Sequence, residues 1–261
     1  MEFLSVLHSD VGIRKKTNQD SVLIKEAMTD YGRIMLAVIC DGMGGLAKGE
    51  IASASLIRAF LSWFEKDFPE ILYNERNKEG IRRDVIEDSL NALVLDVNKK
   101  IAAYAQQHHI TMGTTAAVLL AVEGKYYTMN IGDSRIYKIT DSEIVQLTKD
   151  QTFVQKEMDL GRMTLEEAKV HPQRNVLLQC VGASEVILPE FTSNEYQSGD
   201  VYMLCSDGFR HLITTEEFRK VIVPTRFSNE DEMRDAAIYC TELNKSRQEK
   251  DNISVILLKV C

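Results

Sequence analysis

Apolar and polar positions divide the chain into short extended runs and a few long helical stretches. Phe3 to His8 alternates as a strand does, and Ser21 to Lys25 resumes an extended apolar pattern after a basic, polar turn over Gly12 to Asn18. Met35 to Cys40 is continuously apolar, the pattern of a strand covered on both faces. Glycines crowd the stretch that follows, Asp41-Gly42-Met43-Gly44-Gly45. It reads as a turn, with backbone freedom for positive φ and room for a ligand to approach. Helical spacing returns from Ala47 to Phe64, Phe68-Pro69-Glu70 is expected to interrupt it, and the polar residues up to Gly80 read as a surface connection. From Ile81 to Gln107, apolar side chains such as Ile86, Leu90, Val94, Val97 and Ile101 recur at three- and four-residue steps, which predicts a long amphipathic helix with His108 and His109 solvated at its end.

The second half is richer in strands. Thr114 to Val122, Tyr126 to Ile131, Ser134 to Ile139 and Ile144 to Leu147 are separated by Glu123-Gly124, Gly132-Asp133 and Asp141-Ser142, turns that indicate hairpins and so antiparallel pairing. Asp150 to Gln173 breaks this pattern with two short polar helical pieces, and residues of about 150–175 read as a mobile flap. Val201 to Cys205 is another buried strand, ending in Ser206-Asp207-Gly208. A last amphipathic helix over Asn229 to Leu243 precedes Asp251-Asn252 and the strand Ile253 to Val260. With no internal repeat and no Pro-, Gly- or Ser-rich linker, residues 1–261 read as one domain of antiparallel sheet with helices for outer layers.

Composition narrows the function classes. Hydrophobic residues at 44% and charged residues at 27% are ordinary for a globular protein and argue against long disorder. A net charge of −8 argues against a protein built to grip nucleic acid or an anionic membrane. No apolar run approaches the roughly 18 residues of a membrane span, and Met1-Glu2-Phe3-Leu4 is not a signal peptide, so a cytoplasmic location is expected. The five cysteines, at 40, 180, 205, 240 and 261, form no C-x-x-C pair and fit neither a disulfide framework nor a zinc knuckle. Cys40 and Cys205 end apolar runs and read as small core residues.

The chemistry lies at the strand ends. Asp20, Asp41, Asp207 and Asp251 each flank an apolar extended segment, and Asp133 occupies a hairpin turn. Singly, each Asp-Gly is ordinary turn chemistry. Jointly, acids converging on one sheet edge would repel one another unless a cation sat among them, and carboxylates without a Cys/His cluster suit Mg²⁺ or Mn²⁺ over zinc. A competing reading takes Gly42-Met43-Gly44-Gly45-Leu46-Ala47 as a G-x-G-x-x-A dinucleotide loop. It sets Asp41 against a pyrophosphate, and Asp67, at about the expected distance, follows helical residues instead of a second strand.

The ordered set Asn18-Gln19-Asp20-Ser21, Asp41-Gly42-Met43-Gly44-Gly45, Gly49-Glu50, Met112-Gly113-Thr114-Thr115, Gly132-Asp133-Ser134-Arg135, His171-Pro172-Gln173-Arg174-Asn175, Ser206-Asp207-Gly208 and Asp251-Asn252 resembles the metal-dependent Ser/Thr protein phosphatase family (PPM, or type 2C) in its bacterial form, across essentially the whole chain. The resemblance implies an α+β fold, an αββα four-layer sandwich of two antiparallel sheets flanked by helices. It implies a centre of two Mn²⁺ or Mg²⁺ ions, with Asp41 bridging them, the Gly42 carbonyl on one, Asp207 and Asp251 on the other, and Asp20 ligating or orienting water. Asp133 with Asp207 would hold a third, weaker ion. A water shared by the two ions would attack phosphoserine or phosphothreonine directly. The implied partners are phosphorylated proteins and an opposing Ser/Thr kinase.

Several positions depart from the family pattern. Lys15, with Arg14 beside it, stands where the family usually has a phosphate-binding arginine, and lysine lacks the bidentate fork of a guanidinium. Gln19 replaces a frequent glutamate, Leu46 a histidine common in bacterial members, and Met43 a histidine proposed as general acid in animal ones. Leaving-group protonation would then fall to water on the metal. The alternative to an enzyme is a catalytically silent binding or sensor module on the same fold.

Overall fold

A computed structural model describes residues 2–43, 48–76 and 80–261. Strands β1 (Phe3–Asp10), β2 (Asp20–Thr29) and β3 (Gly32–Met43) are followed by helix α1 (Gly49–Ser62), a π-helical turn (Trp63–Asp67), α2 (Phe68–Glu75) and α3 (Arg83–Gln107). Then come β4 (Gly113–Thr114), β5 (Ala116–Val122), β6 (Lys125–Ile131), β7 (Arg135–Ile139), β8 (Ile144–Gln146), α4 (Phe153–Asp159) and α5 (Leu165–Val170). The chain ends with β9 (Glu190–Glu195), β10 (Val201–Cys205), α6 (Asp207–Arg210), α7 (Thr215–Val221), α8 (Glu230–Ser246) and β11 (Ile253–Val260). Among the described residues these strands form a five-stranded sheet, in the order β1-β11-β10-β7-β8, and a six-stranded sheet, in the order β2-β3-β5-β6-β9 with β4 paired to β3. The pairings within both sheets are antiparallel.

The continuous apolar runs are explained by burial on both faces. In β3, Ile34, Leu36, Val38 and Cys40 pack with Leu56, Phe60, Ile86 and Leu90 of α1 and α3, while Met35, Ala37 and Ile39 face Tyr202, Leu204, Ile256 and Leu258 of the other sheet. On that other sheet Val201, Met203, Val255 and Leu257 pack with Phe209, Phe218, Met233 and Ala237 from α6, α7 and α8. Successive side chains of one strand therefore enter two different cores, so these runs are apolar at nearly every position. The expected αββα four-layer sandwich is what results, with Cys40 and Cys205 as core residues and His108 and His109 exposed.

Several boundaries differ from expectation. Asp41-Gly42-Met43 continues β3 instead of turning, because Gly42 and Met43 pair with Thr114 and Gly113 of β4. Gly44, Gly45, Leu46 and Ala47, the rest of the glycine stretch and the expected helix start, lie outside the described residues. Phe68-Pro69-Glu70 does not interrupt the helix: Pro69 falls in the first turn of α2, where its missing N–H costs no intrahelical bond, and the π-helical turn before it absorbs the change of register. Strand β9, with the polar sequence Glu-Phe-Thr-Ser-Asn-Glu, was not foreshadowed by hydrophobic pattern and forms as an edge strand along β6.

Candidate functional site

The acids meet because the two sheets end together. Asp20, the first residue of β2, lies directly opposite Asp41 of β3. Two carboxylates at opposed positions of an antiparallel pair repel each other, an arrangement a sheet avoids unless something offsets it. Asp41 is fixed through its backbone: its N–H donates to Thr115 Oγ1 at 2.9 Å, and its carbonyl accepts from the Thr115 N–H at 2.9 Å and from Thr114 Oγ1 at 3.0 Å. The next residue has to be glycine for reasons of space. A Cβ on Gly42 would lie 2.3 Å from the Gly49 carbonyl oxygen and 2.5 Å from that of Gln19, so the start of α1 and the residue before β2 press on this backbone from two sides.

The other sheet supplies Asp207 and Asp251. Strand β10 ends at Cys205, Asp207 opens the short helix α6, and Asp251 lies just before β11. Gly208 lets these two segments touch, since a Cβ there would be 2.1 Å from the Asn252 carbonyl oxygen. Asn252 ties the corner to the first sheet's loop: its Oδ1 accepts from the Gln19 N–H at 2.9 Å, and its Nδ2 donates to the carbonyls of Val11 and Thr17. Across the two sheets, Ser254 Oγ of β11 donates to Asp20 Oδ2 at 2.6 Å.

Together, Lys15, Gln19, Asp41, Gly42, Asp133, Asp207 and Asp251 line a cavity of about 290 Å³, with Met43, Thr115, Asn175 and Leu177 on its remaining wall. Lys15 Nζ bonds Asp251 Oδ1 at 2.8 Å. Burial works against the ammonium, but the bond to Asp251 outweighs it and holds the Lys15 pKa above its ordinary value. Arg14 is exposed and is not among the residues lining the cavity. Asp133 has a different partner, Arg210 of α6, whose Nη2 donates to the Asp133 carbonyl at 2.8 Å.

The electrostatics of the corner favour a cation. Burial, followed by the charge of Asp207, pushes Asp20 up to about 7 even though Ser254 stabilises its ionised form. Asp133 is likewise pushed up to about 7 by burial and then by Asp207, with Arg210 opposing. Asp41 lies well above the carboxylate range through burial and then through Asp20 and Asp207. Asp207 is raised by burial, Asp251 adding to the shift and Arg210 working against it. Oδ1 of Asp20 and Oδ1 of Asp207 are buried and find no hydrogen-bond partner among the described residues. Orphaned carboxylate oxygens facing like charges are what a hard divalent ion would satisfy, and the all-oxygen donor set fits Mg²⁺ or Mn²⁺. Among the described residues no group of three or more His, Cys, Asp or Glu side chains is preassembled around one point. Two of these acids already have partners, Ser254 on Asp20 and Lys15 on Asp251.

Hydrophobic pattern gave no signal for several residues that build the site. Ser254 lies inside an apolar strand, Thr115 between two strands, and Arg210 at the end of the four-residue helix that Asp207 opens. Only burial distinguishes them: Ser254 and Thr115 are almost fully buried, and the Arg210 side chain is 13% exposed.

Comparison with known proteins agrees with this geometry. The protein phosphatase 2C family model matches residues 12–245. The serine/threonine protein phosphatase PstP of Mycobacterium tuberculosis is 34% identical over 255 residues, 97% of this chain, which spans 44% of that relative's length. Protein phosphatase PhpP of Streptococcus pneumoniae is 33% identical over 218 residues, 83% of this chain and 82% of its own. Among solved structures, the catalytic domain of PstP in complex with two manganese ions aligns with a TM-score of 0.78 at 30% identity, covering 99% of both chains. Sequence, fold and the convergence of acids at one end of the two sheets lead to the same place: the chain belongs to the protein phosphatase 2C family.

Proposed function

We propose that residues 1–261 form one catalytic domain that hydrolyses phosphoserine and phosphothreonine in phosphorylated proteins, with two Mn²⁺ or Mg²⁺ ions as cofactor. The observation that carries the reading is that Asp41, Asp207 and Asp251 from two sheets line one cavity, with Asp20 opposite Asp41 and within reach of the charges of Asp207 and Asp251, and with orphaned oxygens on Asp20 and Asp207. In this reading Asp41 would be shared by the two ions, the Gly42 carbonyl would help hold one, and Asp207 and Asp251 would hold the other. When bound, two such ions lower the pKa of a shared water and neutralise charge on the transferring phosphoryl group. Asp20, with Oδ2 held by Ser254, keeps Oδ1 free to accept a hydrogen bond from the attacking water and so to aim it. Lys15, on the cavity wall, is the cation that receives the phosphate of the substrate, a role less suited to Arg14 outside the lining. Met43, also on the wall, carries no proton to give, so the leaving alkoxide takes its proton from water. Asp133, already partnered by Arg210, stays outside the two-ion set.

Segment 150–175, carrying α4 and α5, acts as a flap beside the site; Asn175 at its end and Leu177 just beyond it supply part of the cavity wall. Among the described residues no helix is long and apolar enough to cross a membrane, which accords with a cytoplasmic enzyme opposing a Ser/Thr kinase. A silent sensor on this fold is the weaker reading, because every acid of the set is retained. Purified protein given a phosphothreonine peptide and Mn²⁺ should release inorganic phosphate, and EDTA should stop it. Absence of release with either Mn²⁺ or Mg²⁺, beside a working control phosphatase, would refute the enzyme reading.

A further inference from the structure

Arg210 is unusual among the charged side chains of the site. It rises from α6, three residues after Asp207, and its guanidinium is buried between two carboxylates. Nη2 donates to the Asp133 carbonyl at 2.8 Å and stands 3.5 Å from both Asp133 Oδ2 and Asp150 Oδ2. Nε is buried with no hydrogen-bond partner among the described residues. Asp150 is in turn held by Arg135, which forks onto it with Nε on Oδ1 and Nη2 on Oδ2, each at 2.7 Å, while Arg135 Nη1 donates to the Tyr137 hydroxyl at 2.9 Å. Two guanidinium cations thus stand against two carboxylates in one buried nook. On the side of Asp20, Asp41, Asp207 and Asp251, Lys15 bonds Asp251 and the charge of Arg210 reaches Asp207.

A buried guanidinium is not indifferent to what binds beside it. Moving it off a carboxylate would leave a buried charge unpaired, a cost that outweighs the gain of a weakly held ion. Arg210 also cannot lose its charge to make way, since arginine stays protonated in proteins. We infer that Arg210 is the resident counter-ion of Asp133: it takes the place that a third divalent ion would need on that carboxylate, and so holds this centre to two ions. Arg210 is a positioning residue here, since it acts through Asp133 and lies outside the cavity lining. Through Asp150, the same guanidinium joins the root of the 150–175 segment to the edge of the centre. The inference rests on the metal-centre reading above.

Mn²⁺ binding tests it directly, read from the electron paramagnetic resonance signal of the free aqueous ion and so independent of turnover. Wild-type protein should saturate at about two ions per chain. Arg210→Gln, which removes the charge and keeps the length, should gain a further ion or bind its weakest one about tenfold tighter or more. Arg210→Lys should titrate like wild type, and Asp133→Asn added to Arg210→Gln should remove the gain. Asp133→Asn alone, in a chain with Arg210 intact, should leave the Mn²⁺ isotherm unchanged, which keeps the inference testable even if Arg210→Gln fails to fold. An Arg210→Gln isotherm that superimposes on wild type, or a loss of Mn²⁺ sites in Asp133→Asn alone, would overturn the role of Arg210 while leaving the two-ion centre standing. A wild type that binds no Mn²⁺ would overturn both.

Discussion

At the scale of single residues, charge and backbone space decide what the site is. Asp41→Asn removes one charge from the middle of the acid set with no change of volume. The fold should survive, with far-ultraviolet circular dichroism unchanged, while phosphate release falls by more than about 100-fold, as for other groups that meet charge at the reacting centre. Near-normal turnover in that variant would contradict the bridging role. Thr115→Ala deletes the hydroxyl that accepts from the Asp41 N–H and bonds Ser134 Oγ at 2.7 Å. Mn²⁺ affinity should drop by about 10- to 100-fold, the usual cost of losing a supporting partner of a metal ligand, measurable by calorimetric titration. The acids themselves were legible in the sequence, because an aspartate at the end of an apolar run has few stable reasons to be there. Their supports were not: a serine inside an apolar strand or an arginine two residues after an Asp-Gly pair looks the same in sequence whether it is buried or bathed in water.

Among the elements, close approach of backbones sets the geometry. Gly42 lies in a strand without positive φ, so the need for glycine there comes from its neighbours and not from a turn. Gly42→Ala would put a methyl group 2.3 Å from the Gly49 carbonyl oxygen, and neither that backbone nor the Gln19 backbone has room to give. Denaturant unfolding should show a loss of about 3 kcal/mol or more; a loss under about 1 kcal/mol would mean that α1 does not press on β3 as described. The strands of the two inner layers were readable because their apolar runs are long and unbroken, a consequence of burial on both faces. Polar β9 was not readable, since beyond Phe191 and a Thr128–Thr192 hydroxyl bond its pairing with β6 is a backbone ladder that leaves little mark on hydrophobic pattern. The joint at Pro69 was missed for a related reason: proline breaks a helix interior but fits a first turn, and only the π-helical turn ahead of it creates that first turn.

For the molecule as a whole, the corner where the sheets end trades stability for function. Asp20 and Asp133 titrate near 7 in the folded chain against an ordinary 3.8. Acids raised in this way stabilise the fold fully below their unfolded pKa, and that contribution disappears as pH climbs through the folded value. Protein stripped with EDTA should therefore melt at progressively lower temperature between about pH 4 and pH 7, and saturating Mn²⁺ should restore much of the loss near pH 7 by offsetting the same charges. A melting temperature that is flat over this range without metal would mean that the acids do not repel one another in the folded state. The central claim is that aspartates from both sheets form one divalent-metal centre, and anomalous diffraction from a crystal soaked in Mn²⁺ tests it most directly. Two peaks about 3.5 to 4 Å apart flanking Asp41, within reach of the Gly42 carbonyl, Asp207 and Asp251, are the predicted result; a map with no Mn²⁺ beside Asp41 would contradict it.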